Sequence, residues 1–373
     1  MTAAVSDVAV AGGGLIGLAV AWRSAQRGLS VTVVDPSPGS GASQAAAGML
    51  APVTEASYGE ARLLELCRDS LRRFPAFVAE VEQASGVDVG LRTAGTLAVG
   101  FDADDMRALD ELHRFQCELG LEAARLTARE TRRLEPSLTP RLRGGLHVPG
   151  DHSVDGRALH AALATACEAA GVRTVRAGVA AVHVESGRAN GVDLTDGTTL
   201  EAATTVLALG AWSASVPGVP DLPVRPVKGQ ILRLRAALGL LQHTVRALVR
   251  GQHVYLVPYA EDGLVVGATV EDKGFDAAVT AGGVHDLLRD AIEVVPAITE
   301  LELVETLARW RPGTPDNAPI LGPSALPGLV LATGHYRNGV LLTPVTADAV
   351  ADVLTQGELP DVAQPFSADR FRR

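Results

Sequence analysis

The sequence predicts an α/β protein made of a Rossmann-type nucleotide-binding domain, laid down in separated stretches, and a second α+β domain around an antiparallel sheet. Three observations carry that prediction. The first is the run Gly12-Gly13-Gly14-Leu15-Ile16-Gly17, set between an apolar strand, Val8-Ala9-Val10-Ala11, and a helix-like segment over 15–26. The second is a buried strand, Thr205-Val206-Leu207-Ala208-Leu209-Gly210, which again ends at a glycine, as ligand-facing strand ends of this fold do. The third is a succession of alternating strands beyond a proline-rich break at 217–226.

The opening unit bears the clearest chemistry. Gly12, Gly14 and Gly17 form a G-x-G-x-x-G, and a second strand, Val31-Thr32-Val33-Val34, leads to Asp35, an acidic residue about twenty positions on. A dinucleotide needs each part for its own reason. Gly12 permits the tight turn, Gly14 lets backbone N–H groups reach the pyrophosphate, and Gly17 lets the helix pack close to the strand. The helix N-terminus adds partial positive charge, and Asp35 is placed to bond the ribose hydroxyls. NAD and FAD both use this motif. After a turn-rich stretch over 36–43 comes Gln44-Ala45-Ala46-Ala47-Gly48-Met49-Leu50. Such a run of tiny side chains suits a large flat ligand pressed against backbone; a tight helix–helix contact would use the same residues.

Residues 59–83 keep helical spacing through Leu63, Leu64, Cys67, Leu71, Phe74 and Val78. A strand at 95–99 and a helix at 102–119 follow, and Thr127-Ala128-Arg129-Glu130 reads as a capping box. Residues 145–148 read as a strand leading back to the nucleotide domain, before a strong helix from Val154-Asp155-Gly156-Arg157 to Ala170. Short strands at 174–176, 180–184 and 191–194 predict an antiparallel meander. Past the break, 230–234, 253–257, 264–268 and 301–310 predict an antiparallel sheet, followed by a buried strand at 329–332 and a terminal helix over 339–354. The chain thus leaves the nucleotide domain twice and returns twice. Residues 1–85, 145–220 and 310–373 fall to that domain, and 86–144 and 221–309 to the second.

Composition narrows the function classes. The chain has 373 residues, 47% of them hydrophobic and 20% charged, with a net charge of −10. That describes a globular protein with a sizeable core. It offers no basic stripe for nucleic acid, although a local arginine still binds an anionic substrate in an acidic protein. Cys67, Cys117 and Cys167 are scattered on helix-like segments without a C-x-x-C; the expectation is buried free thiols, no metal site and no disulfide scaffold. The apolar start lacks a basic leader and fits a βα unit, and no stretch is long enough to span a membrane. A reduced cytoplasmic location is expected.

Two distal motifs select the cofactor. One is Trp310-Arg311-Pro312-Gly313-Thr314-Pro315-Asp316; the other is Gly334-His335-Tyr336-Arg337-Asn338-Gly339, directly before the last helix. A glycine-flanked loop entering a helix presents free N–H groups and a positive dipole. It stabilises negative charge on the pyrimidine end of a reduced flavin, a need nicotinamide lacks, and so favours FAD over NAD.

With these motifs the chain resembles the D-amino-acid oxidase and sarcosine oxidase group of flavoproteins, and within it the glycine oxidases linked to thiamine thiazole synthesis. The matching pieces are Gly12 to Gly17, Ala45 to Leu50, Val254-Tyr255-Leu256-Val257-Pro258, Val266-Gly267-Ala268-Thr269, Arg311 to Thr314 and Gly334 to Gly339. The resemblance implies a discontinuous FAD-binding domain and a substrate domain whose antiparallel sheet lies over the flavin. It implies that Arg311 pairs with the substrate carboxylate, which a planar guanidinium holds by two parallel bonds. By the same resemblance Tyr255 bonds that carboxylate, and Arg337 lies close to flavin and substrate. His253, two residues before Tyr255 and so on the same strand face, is a candidate for the pocket wall. FAD binding is assigned to Gly12, Gly14, Leu15, Ile16, Gly17, Asp35, Ser43, Ala46, Ala47, Gly48, Met49, Val179, Gly210, Arg337, Asn338, Gly339, Val340 and Leu341. Where relatives often carry methionine after Gly-Ala-Thr, this chain has Val270, and no cysteine stands near 311–316. FAD is therefore expected to be non-covalent, and the pocket to have its own shape. A homotetramer is the oligomer the resemblance implies.

The chemistry implied is oxidation of a small amine. Arg311 and Tyr255 orient the α-carbon beneath flavin N5, a positioning that supplies about 7–11 kcal/mol in well-aligned cases. A hydride leaves the neutral amine, the imine is released or hydrolysed to glyoxylate and ammonia, and oxygen becomes hydrogen peroxide. The isoalloxazine carries the redox chemistry while the protein positions and tunes it. A D-amino-acid or sarcosine-type oxidase or dehydrogenase for larger amines is the alternative within enzymes, and a non-catalytic flavin module the alternative outside them.

Overall fold

The computed structural model describes residues 5–235 and 238–372. Its first sheet runs, edge to edge, Ile320–Pro323, Leu329–Thr333, Thr199–Leu207, Ser6–Ala11, Val31–Val34 and Arg173–Val175. All neighbours are parallel except the outermost pair, Ile320–Pro323 with Leu329–Thr333. Val10 lies opposite Val33 on one side and Val206 on the other. Alternation decides which layer each residue joins. Val8 and Val10 pack under the helices Leu15–Gln26, Ala61–Ser85, Gly156–Ala169 and Thr343–Gln356. Ala9 and Ala11 face the opposite side, where the hairpin Val179–Glu185 with Arg188–Leu194 covers them. A sheet buried on both faces needs continuously apolar strands, and these have them.

The second sheet runs Glu302–Gly313, Arg225–Arg235, Gly263–Gly267, Gln252–Tyr259, Thr244–Val249, Thr96–Gly100, Gly144–Val148 and Ala124–Thr127. It is antiparallel apart from the pair Thr244–Val249 and Thr96–Gly100. One face packs Leu232, Leu256 and Val266 against Leu287, Ala291 and Val294 of the helix Ala281–Val294. The other face turns Ile231, Val257 and Val265 towards Ala47 and Met49. The first and second sheets thus meet across the segment of small residues.

Several expected elements appear almost as read, including the helix Leu15–Gln26 and the capping box at Thr127, where Glu130 N–H donates to the Thr127 hydroxyl and the Glu130 carboxylate accepts from Thr127 N–H. Others differ. The strand expected to lead back at 145–148 pairs instead with Thr96–Gly100 and Ala124–Thr127 in the second sheet. Alternation reports a half-buried strand but not which sheet it joins. Arg173–Val175 does not belong to the antiparallel meander; it follows a crossover helix and pairs in parallel with Val31–Val34. The last helix starts at Thr343 rather than 339, because Leu342 and Thr343 donate back to Asn338 and Val340 in a preceding turn and Pro344 occupies the first helical turn. Cys67 and Cys167 are buried, but Cys117 is exposed on the outer side of the helix Ala103–Glu118. The strand Thr244–Val249 and the helix Ala281–Val294 had no counterpart in the expectation.

Candidate active site

Between the two sheets lies a cavity of about 750 Å³, well within the size of cofactor sites. Its first end is the glycine turn. Gly12 has φ +110°, and a Cβ there would fall on the Ala208 carbonyl; a Cβ at Gly17 would fall on the Gly12 carbonyl. Those two glycines let strand and helix close on each other. Gly14 differs: its Cβ would meet only the Ser43 hydroxyl, at 3.2 Å, and otherwise point into open cavity. The helix Leu15–Gln26 carries no acidic residue of its own in its first turn, and its N-terminus faces the cavity. Asp35 braces the turn, its carboxylate accepting from Gly13 N–H at 2.7 Å and Ser37 N–H at 2.8 Å. Ser43 Oγ accepts from Leu15 N–H at 3.1 Å. Further along, Ala46, Ala47, Gly48 and Met49 form a wall of small groups, and Gly48 (φ +84°) touches Val154 backbone so closely that no Cβ fits.

The other end is built by the second sheet. Strands Glu302–Gly313, Arg225–Arg235, Gly263–Gly267 and Gln252–Tyr259 lie side by side. Arg311 on the first of these reaches over Gly229 on the second, and Tyr255 on the fourth lies over Gly267 on the third; a Cβ at either glycine would run into that side chain. The two glycines thus leave room for the two polar side chains to converge, beside Ile231, which lines the same floor. Arg311 Nη1 donates to the Thr269 carbonyl at 3.2 Å, and among the described residues no carboxylate lies within 4.0 Å of its guanidinium. Burial pushes the Tyr255 phenol above its ordinary 10, while the nearby Arg311 guanidinium pulls it back. His253 lines the same wall, its pKa lowered by burial and by Arg246 and Arg337.

The loop from Gly334 to Gly339 closes the site. Tyr336 N–H donates to the Pro312 carbonyl at 3.1 Å, tying this loop to the Arg311 strand. Arg337 lies 3.8 Å from the Glu60 carboxylate and 5.4 Å from the Tyr336 ring centre. His335 is buried with Nε2 2.9 Å from the Thr346 hydroxyl, and burial lowers its pKa to about 3.

A family model described as FAD dependent oxidoreductase matches residues 7–353. The chain belongs to this family of FAD-dependent oxidoreductases. It is 37% identical over 369 residues to the glycine oxidase of Geobacillus kaustophilus, covering 98% of this chain and 97% of that one. The crystal structure of glycine oxidase from Geobacillus kaustophilus matches with a TM-score of 0.90 at 36% identity, over 99% of each chain. The bifunctional protein ThiO/ThiG of Trichormus variabilis is 34% identical over 370 residues, which are 98% of this chain and 55% of that protein. The chain spans about half the length of such relatives.

FAD is the cofactor of an FAD-dependent oxidoreductase, and this cavity fits it: the glycine turn, the open space at Gly14 and the wall of alanines leave room for a long, flat dinucleotide. Of the residues expected at the cofactor, Gly12, Gly14, Leu15, Ile16, Asp35, Ser43, Ala46, Ala47, Gly48, Met49, Val179, Gly210, Arg337, Gly339 and Val340 line the cavity. Gly17, Asn338 and Leu341 stand behind the lining, Gly17 as the packing contact at Gly12 and Leu341 within the helical core. Asn338 is buried and accepts at its carbonyl from Leu342 N–H at 2.8 Å. Val270 lines the cavity and is 68% exposed, so this position presents a short side chain to an open mouth.

Several charged residues in and behind the lining had no sequence signal. Arg246 and Glu55 form an ion pair in the wall. Trp212 and Trp310 also line the cavity and make an aromatic cluster with Phe275, ring centres 5.4 to 5.7 Å apart. Lys228 is fully buried behind them and pairs with Asp276 at 2.5 Å and Glu271 at 3.6 Å. Nothing in the sequence distinguishes these charged residues from others on solvated faces, since each acquires its partner only on folding.

Proposed function

We propose that the protein oxidises glycine and other small amines, including sarcosine and small D-amino acids, to the imine. The observation that carries this reading is the Arg311 guanidinium, free of any carboxylate among the described residues, beside the Tyr255 hydroxyl in the FAD cavity. A guanidinium in that state accepts a substrate carboxylate by two parallel bonds, and the phenol donates a third. The redox chemistry would be supplied by FAD when bound, which would take up a hydride equivalent and hand two electrons to oxygen to give hydrogen peroxide. The chain's own work is to hold the α-carbon in place and keep water from the reacting face. The amine binds neutral, so loss of hydride leaves a protonated imine without a protein base. Water then yields glyoxylate and ammonia from glycine, or a 2-oxo acid from a D-amino acid. The likeness to ThiO/ThiG supports a role in which the glycine imine is passed on to thiamine thiazole synthesis.

A second reading, a D-amino-acid or sarcosine-type oxidase or dehydrogenase acting on larger amines, is favoured by Val270 at the open mouth. A panel of glycine, sarcosine, D-alanine and bulkier D-amino acids, with peroxide detection and with an artificial electron acceptor, separates the two. Turnover of glycine that survives unchanged in Arg311→Ala would overturn the carboxylate assignment.

A further inference from the structure

Two guanidiniums flank Tyr255, and they differ in one respect. Arg246 stands directly across from Tyr255 in the sheet, on Thr244–Val249, and lines the same cavity as Arg311. Among the described residues Arg311 has no carboxylate partner, bonding the Thr269 carbonyl and the Tyr255 side chain, whereas Arg246 Nη1 is paired with the Glu55 carboxylate, both side chains being mostly buried. Glu55 is held there. The Asp151 carboxylate, itself fully buried, accepts from Val53 N–H at 3.0 Å, Thr54 N–H at 2.7 Å and the Thr54 hydroxyl at 2.7 Å. Gln116 donates to the Val53 carbonyl at 2.9 Å, and Glu55 N–H donates to the Ala51 carbonyl at 3.1 Å. Four contacts to residues 53 and 54 fix the turn that carries one carboxylate over one arginine.

We propose that Glu55 is a specificity-determining residue: it occupies the anion-binding edge of Arg246, so that of the two guanidiniums flanking Tyr255 only Arg311 is left, among the described residues, without a carboxylate, and the site selects amines bearing one carboxylate over those bearing two. Asp151 is the positioning residue for that mask. The proposal rests on the reading of Arg311 as the carboxylate anchor. A dicarboxylic amine entering this site places its second carboxylate against Glu55, and like charges in a desolvated site repel strongly. Without the Glu55 charge, Arg246 becomes a second carboxylate receptor of the same chemical kind as Arg311.

The test compares holoenzyme and Glu55→Gln, an isosteric change that keeps an acceptor for Arg246 and removes the charge. The readouts are the ratio of kcat/KM for iminodiacetate to that for glycine, and the ratio of malonate to acetate affinity from the shift in flavin absorbance. Both ratios are expected to rise about tenfold or more, the worth of one charge-assisted pair. The gain should vanish in Glu55→Gln/Arg246→Gln. In Arg246→Gln alone, where Glu55 is left as an unpaired anion in the wall, acetate should bind several-fold more weakly. Unchanged ratios in Glu55→Gln, or a gain that persists in the double variant, overturn the mask. If Glu55→Gln does not load FAD, the acetate affinity of Arg246→Gln decides alone, and no weakening overturns the mask. Failure of the underlying reading looks different: acetate affinity is then indifferent to Arg311→Ala, whatever Glu55 does.

Discussion

The guanidinium of Arg311 occupies the volume that a side chain at residue 229 would take. Gly229 and Arg311 lie on paired strands, with Gly229 opposite Arg309 and Arg311 opposite Val227. The absence of a Cβ at 229 is thus part of the site proposed to seat a carboxylate, although Gly229 offers no polar side chain. Gly229→Ala should displace the guanidinium tip and leave the sheet intact, because the obstructed atoms are the far end of a flexible side chain. Steady-state kinetics should show KM for glycine raised roughly 10- to 100-fold, the worth of about 1.5–3 kcal/mol of charge-assisted bonding, with FAD content unchanged.

Tyr255→Phe should act on the same step with a smaller effect. It removes the donor proposed for the carboxylate and keeps the ring that packs over Gly267. A net loss of about 1–2 kcal/mol, or roughly 5- to 30-fold in kcat/KM, is expected. A variant indistinguishable from the parent on glycine would remove the phenol from the site.

Gly14→Val should give a folded, colourless protein. The cavity is open at this residue, and the only neighbour of a new Cβ is the Ser43 hydroxyl at 3.2 Å, so the helix keeps its start while the isopropyl group fills the place where a pyrophosphate approaches backbone. Circular dichroism should match the parent and visible absorbance should be lost. A yellow, fully loaded variant would contradict the assignment of this turn.

His335 makes an acid-sensitive contribution to stability. Burial lowers its pKa to about 3 from 6.5, so in the folded chain it stays neutral through the window in which the unfolded chain takes up a proton. The unfolded state binds more protons between those values, and stability therefore falls as pH falls from 6.5 towards 3, at about 1.4 kcal/mol per pH unit. Asp151 acts with the opposite sign, because burial raises its carboxyl from 3.8 to about 6 and the folded state holds that proton. The two are separated by comparing urea midpoints of the parent and His335→Gln between pH 7 and 5: the variant should lose less stability on acidification.

Lys228→Met should loosen the loop over the mouth. Lys228 is the cation for Asp276 and Glu271, and the same loop supplies the Thr269 carbonyl for Arg311, the Asp276 carbonyl for Trp310 Nε1 and the Phe275 ring stacked on Trp212. Stability should drop by about 2 kcal/mol, and the tryptophan emission should shift as the aromatic cluster opens. Unaltered emission would detach the loop from the buried lysine.

The nucleotide end of the site was legible because its requirements are local. Gly12, Gly14 and Gly17 do their work through backbone within one strand–turn–helix unit, and Asp35 ends the next strand. Arg311, Tyr255 and Arg337 were reached through resemblance, since an arginine or tyrosine on a strand looks alike in a pocket and on a surface. Arg246 and Glu55 were out of reach: they are 191 residues apart, and their pairing depends on a turn fixed by Asp151. The strand Gly144–Val148 shows the same limit in the fold, for its alternation was visible while its partner, Thr96–Gly100, was set by tertiary packing.

The glycine turn leaves the ribosome well before the strand Glu302–Gly313 and the loop to Gly339. A nascent chain therefore holds the glycine turn before it owns Arg311, yet the sheet behind that turn waits for Thr199–Leu207 and Leu329–Thr333 to be made. Both ends of the cavity are therefore completed together, when these late strands dock.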